Sequence, residues 1–144
     1  MKTTKIFSVL FSLVLICSFT LFSPMNISAK VKDSGSGTID LTNEIEDNNS
    51  DEVNFKVSPG YGHLKVYIKN KGKSNVSVYL KNLTTKEIYM DKLIKPGQVY
   101  EWLSNKKGYL DGVGADKYEL SFTSNGKPLN VYYSYKSADT EWKE

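Results

Sequence analysis

From Val53 onward, apolar side chains recur at every second position, and that periodicity alone restricts the chain to pleated strands. Val53, Phe55 and Val57 alternate with Asn54, Lys56 and Ser58. After Pro59-Gly60-Tyr61-Gly62, a turn signal, Leu64, Val66 and Ile68 alternate with Lys65, Tyr67 and Lys69. Asn70-Lys71-Gly72-Lys73-Ser74 breaks the run, and Val76, Val78 and Leu80 then alternate with Ser77, Tyr79 and Lys81. Sustained helical spacing is missing from this stretch.

A weaker strand reads over residues 87–92, bounded by Thr84-Thr85 and Lys95-Pro96-Gly97. Residues 98–103 read as another. Burying Glu101 unpaired is costly, so Tyr100 and Trp102 are expected to face inward. The clearest pair comes last. Tyr118, Leu120 and Phe122 form one apolar row, and Leu129, Val131, Tyr133 and Tyr135 form a second. Asn125-Gly126 between them is the strongest short hairpin signal and predicts a two-residue type I′ turn. That loop places Phe122 opposite Leu129, Leu120 opposite Val131 and Tyr118 opposite Tyr133. Pro128 then falls opposite Thr123 at a non-hydrogen-bonded position, where its missing N–H costs nothing.

The expectation is an all-β chain, an antiparallel β-sandwich of about seven strands of immunoglobulin or fibronectin-III type, with a small barrel as the alternative. Three regions are predicted: a signal peptide at residues 1–29, a flexible acidic lead segment at residues 30–52 and the sandwich at residues 53–144.

Lys2 and Lys5 precede an uncharged, largely apolar run over residues 6–22, and Ser23-Pro24-Met25-Asn26-Ile27-Ser28-Ala29 ends it on a small residue. This is the layout of a secretory leader, with cleavage expected between Ala29 and Lys30. An uncleaved membrane anchor is the alternative, since Ile27 is bulky for its place and the apolar run sits at the lower length limit for a span. Membrane contact would then run only through the leader. Lipidation at Cys17 is rejected, because Ile16 stands where a small residue is needed.

Cys17 is the chain's one cysteine, so the exported domain has no disulfide framework and no cysteine-ligated metal. All 19 basic residues are lysines, a bias that points to an AT-rich bacterial genome and a single-membrane cell. The charges are divided along the chain. Residues 30–52 hold Lys30 and Lys32 against Asp33, Asp40, Glu44, Glu46, Asp47, Asp51 and Glu52, whereas residues 53–144 are net basic. Such asymmetry marks either an interaction tail or a solvated linker.

Catalytic constellations are hard to assemble. His63 is the single histidine, it lies at a strand entrance, and no G-x-S-x-G elbow accompanies it. One imidazole cannot supply a histidine-based zinc site. Glu87, Asp91, Glu101, Asp111, Asp116 and Glu119 are candidate paired carboxylates, yet several alternate with apolar residues and read as outward. Asp111-Gly112-Val113-Gly114-Ala115-Asp116 lacks the order of an EF-hand loop and reads as turn chemistry. No catalytic residue, metal site or cofactor is predicted.

The exposed phase of the strands is more informative. Lys65, Tyr67, Lys69, Tyr79, Lys81 and Tyr132 fall on it, mixing aromatic rings with cations. Rings stack on sugars and lysines attract anionic polymers. These six are the candidate ligand-binding residues. The leading expectation is a secreted, non-catalytic binding module of the bacterial cell envelope or the extracellular space. Its partners would be an anionic cell-wall polymer, a polysaccharide or an extracellular protein. Nucleic acid is excluded by export and the lack of arginine. The alternatives are a small secreted hydrolase or hydrolase inhibitor, and a structural component of a surface layer or biofilm.

Overall fold

The computed structural model describes residues 28–43 and 50–143. The predicted leader up to Ile27 and the acids Glu44, Glu46 and Asp47 lie outside the described residues. The strands are β1 (Val31–Asp40), β2 (Ser50–Lys56), β3 (His63–Asn70), β4 (Val76–Asn82), β5 (Ile88–Ile94), β6 (Val99–Leu103), β7 (Lys117–Thr123) and β8 (Asn130–Ala138), with one 3₁₀ turn over Asn105–Lys107. They form two four-stranded antiparallel sheets, in the orders β1-β8-β3-β6 and β2-β7-β4-β5. The architecture is an all-β sandwich.

Alternation builds the core as the sequence implies. Leu64, Val66, Ile68, Val76, Val78, Leu80, Tyr118, Leu120, Leu129 and Val131 are completely buried between the sheets. Trp102 is buried and Tyr100 packs against the core, so both face inward, while Glu101 stays exposed. Tyr118 also fastens a corner. Burial raises the pKa of its phenol, and the hydroxyl donates to Gly114 O four residues upstream at 2.7 Å. Immunoglobulin-like sandwiches use a tyrosine in this way near the start of a late strand.

Two expectations are corrected. The first is the flexible lead segment at residues 30–52, because β1 runs through its first half and pairs with β8 from Ser34↔Lys136 to Asp40↔Asn130. The inward positions of β1 include Gly35 and Gly37, which face Tyr135 and Tyr133 in register. A Cβ on Gly35 would stand 2.6 Å from the Tyr135 ring, and one on Gly37 2.7 Å from the Tyr133 hydroxyl. The tyrosines therefore lie over bare backbone and supply the apolar cover that the glycines lack. Asp33 completes the attachment at a register shift in β1. Its carboxylate accepts from Ser58 N–H at 2.7 Å, Ser58 Oγ at 3.0 Å and Ser137 Oγ at 2.9 Å.

The second correction is the β7–β8 hairpin. Asn125 and Gly126 do adopt positive φ values of 53° and 76°, as a type I′ turn requires, and Ser124 Oγ bonds Lys127 O. The strands beyond the turn nevertheless enter different sheets, so Phe122 does not pair with Leu129. Both edges of β7 are taken, by β2 and β4, and β8 lies between β1 and β3. The two apolar rows meet face to face across the core instead of side by side. Phe122 and Tyr133 have ring centroids 5.9 Å apart. Inward parity suits either arrangement, which is why it could not choose between them. Relative to the immunoglobulin order, in which the last strand joins the sheet of its predecessor, β2 occupies that place beside β7 and β8 joins the other sheet.

Candidate functional site

The antiparallel register divides the six candidate residues between opposite sides of the molecule. Lys65, Tyr67 and Lys69 on β3 and Tyr132 on β8 share the outer face of the first sheet. Tyr79 and Lys81 on β4 lie on the outer face of the second. The candidate surface is therefore the first group, joined by residues that the sequence reading omitted.

On that face Lys69 pairs with Tyr132, Tyr67 with Ser134 and Lys65 with Lys136 across β3 and β8. Tyr67 and Tyr132 are diagonal neighbours with ring centroids 6.1 Å apart and planes 68° from parallel. The pair forms a corner, so a flat ring resting on one tyrosine meets the edge of the other. Both rings are half-buried, and no further described layer covers the face. Next to β8, the β1 partners Ser34, Ser36 and Thr38 extend the face with exposed hydroxyls. The surface thus presents aromatic rings, hydroxyls and cations together.

Lys65 is neutralised locally by Glu101, whose Oε2 lies 2.7 Å from its Nζ. Lys69 and Lys136 are in no ion pair among the described residues. On the opposite side Tyr79 lies between Ser121 and Asp91 in register, and Lys81 pairs with Glu119 at 2.9 Å. That face is more acidic, since β2 adds Glu52 to it beside Ser121.

Lys136 and Ser134 were legible, because β8 alternation puts them in phase with Tyr132. Ser34, Ser36 and Thr38 were not, since β1 carries no apolar row to reveal a strand.

The carboxylates considered for catalysis do not gather at one place. Glu101 belongs to the first outer face and Glu119 and Asp91 to the second. Asp116 accepts from Lys117 N–H at 2.7 Å and Thr84 Oγ1 at 2.8 Å. These hydrogen bonds hold its carboxyl below the usual range. Among the described residues, no three or more His, Cys, Asp or Glu side chains converge to hold a metal. His63 opens β3, and its carbonyl accepts from Trp142 Nε1 at 2.8 Å. The predicted cleavage pair lies at the entrance to β1. Ala29 is half-buried, and the Lys30 main chain bonds Asp139 twice, its N–H donating to Oδ1 at 2.8 Å and its carbonyl accepting from the Asp139 N–H at 3.2 Å.

No protein-family model matches the chain, and neither does any curated protein. Solved structures that resemble it include PirA, with a TM-score of 0.42 and 11% identity over 78% of this chain and 99% of that one. A mutant of CBM29-2, a family 29 carbohydrate-binding module, has a TM-score of 0.36 and 13% identity over 74% of this chain and 93% of that one.

Proposed function

We propose that the protein is a secreted, non-catalytic binding module working at the bacterial cell envelope or outside the cell. It engages an extended polymer through the outer face of the β1-β8-β3-β6 sheet. The observation that carries this reading is the Tyr67–Tyr132 corner, set among Lys69, Lys136 and the hydroxyls of β1 and β8. An open face of this kind suits a chain molecule that lies along strands better than a small molecule that must be enclosed. The rings supply stacking, and the lysines supply attraction that salt weakens.

The test uses the chain from Lys30, which contains every described strand, and a cell-wall preparation. Retention is expected to fall steeply between low and high salt, and Tyr67→Ala with Tyr132→Ala is expected to abolish most of what remains at high salt. Equal retention by the double variant would overturn the reading. Export is tested separately, by mass spectrometry of the culture medium and wall for a protein whose first residue is Lys30.

A second reading, assembly into a surface layer, draws on β5. This edge strand exposes Ile88 (55%) and Leu93 (52%), and an unpaired edge can join another copy. Light scattering at rising protein concentration separates the two. Large assemblies lost on Leu93→Lys would favour the layer.

A further inference from the structure

We infer that the end of the sandwich beside Tyr132 is an anion subsite, so the polymer bound on the sheet face is a glycan carrying negative charges. The inference rests on the sheet-face reading and specifies its substrate class. A hollow of about 520 Å³ opens there, lined by Thr42, Lys71, Gly72, Lys73, Ser74, Pro128 and Asn130. Two of these residues are cationic and none is a carboxylate. Neither Lys71 nor Lys73 is in an ion pair among the described residues. Asp40 is the nearby acid: Thr42 N–H, Thr42 Oγ1 and Asn130 Nδ2 donate to it at 3.1, 2.6 and 3.0 Å and keep it ionised, and Lys71 offsets part of that charge, so Lys73 is the cation left free of it.

The loop that carries the lysines is held in place from beneath. Asn70 is fully buried, and its Nδ2 donates to Ser74 O at 2.8 Å and Ile94 O at 3.0 Å. Its Oδ1 accepts from Gly72 N–H at 2.9 Å, while Lys71 N–H donates to Asn130 O at 2.8 Å. A buried amide that bonds Gly72 and Ser74 within the five-residue loop between β3 and β4 fixes the backbone that presents Lys71 and Lys73. Their cationic heads therefore reach the hollow with less ordering left for a ligand to impose.

Position connects the hollow to the sheet face. Asn130 and Tyr132 are successive outward residues of β8, and Lys69, paired with Tyr132, is two residues before Lys71. A sugar resting in the tyrosine corner thus has its next unit near the lysines. Neutral glycans would use only the corner. Glycans bearing carboxylates or phosphates would use both.

The experiment titrates the chain from Lys30 with oligogalacturonate and, separately, with its fully methyl-esterified neutral form, by calorimetry at low salt. Wild type is expected to prefer the anionic chain by about tenfold. Lys71→Gln with Lys73→Gln is expected to cut that preference to the smaller part that Lys69 and Lys136 supply, while leaving neutral binding unchanged. Tyr67→Ala with Tyr132→Ala is expected to weaken both ligands. Preference undiminished in the lysine variant, or absent from wild type, overturns the anion subsite and leaves the sheet-face reading standing. Tyrosine variants that bind both ligands normally sink the sheet-face reading, and with it the path from corner to hollow. Wild type that binds neither ligand overturns both.

Discussion

Phe55 and Tyr135 stack with ring centroids 4.1 Å apart and planes 19° from parallel, although they belong to opposite sheets. The contact bridges β2 and β8, while Tyr135 also lies over Gly35 of β1. One phenol ring of β8 therefore joins β1 and β2, the first two described strands. Stacked aromatic pairs contribute about 0.5–1.5 kcal/mol beyond the area they bury. A double-mutant cycle with Phe55→Leu and Tyr135→Leu, read by urea unfolding, should return a coupling energy of that size. Strictly additive losses would mean that the rings pack independently.

Asp33 should make the fold sensitive to acid. Burial alone would raise its pKa, but the Ser58 N–H and the hydroxyls of Ser137 and Ser58, with Lys32 alongside, hold the carboxyl below its ordinary value. A depressed carboxylate stabilises the folded state above its unfolded pKa of about 3.9, and that contribution disappears as pH falls through the folded value. Wild type should therefore exceed Asp33→Asn in stability at neutral pH, with the gap closing only in acid below about pH 4. Thermal melts of both proteins across that range give the comparison. A gap that is constant with pH would assign the effect to packing rather than to charge.

Gly62 and Gly112 cross backbone to backbone, and Val113 N–H donates to Gly62 O at 2.8 Å. A Cβ on Gly62 would stand 2.3 Å from Val113 O, where no flexible side chain can yield. Gly62→Ala is expected to cost on the order of 2–4 kcal/mol, because the loop must move or lose its bond. Gly60→Ala makes the control. Gly60 has φ of 79° and open space around it, so only the left-handed strain of about 1–2 kcal/mol applies. Equal losses at the two sites would remove the close crossing from the explanation.

β2, β3, β4, β7 and β8 were readable because each pairs an apolar row with a polar one that burial follows, whereas β5 and β6 read more weakly because Ile88, Leu93 and Val99 are apolar yet exposed. β1 was unreadable for a definite reason. Its inward positions include Asp33, Gly35 and Gly37, and the apolar matter above the glycines comes from Tyr133 and Tyr135, about a hundred residues away in sequence. Sheet membership was unreadable too. Asn125 and Gly126 take the positive φ values expected of them, but the partner of β7 was decided by competition between β2 and β8 for one edge. The candidate site inherited both limits. Tyr67 and Tyr132 were identifiable as exposed aromatics, whereas their meeting depends on β3 lying next to β8. Tyr79 and Lys81 looked equivalent in sequence and lie on the far side.

The charge division along the sequence suggests that residues 53–144 form the domain and that removing the acidic segment frees a basic surface. The fold predicts the opposite. That fragment lacks all of β1 and begins only at the fourth residue of β2, Val53. It loses every bond to Asp33, uncovers the edge of β8 and leaves Tyr133 and Tyr135 without Gly37 and Gly35 beneath them. An uncovered edge next to exposed aromatics invites association with other chains. Residues 53–144 should therefore show no cooperative urea transition and should scatter light at concentrations where the chain from Lys30 stays dispersed. A fragment that unfolds at the same midpoint as the longer chain, and binds cell walls more tightly, would overturn this and leave the acidic segment an interaction tail.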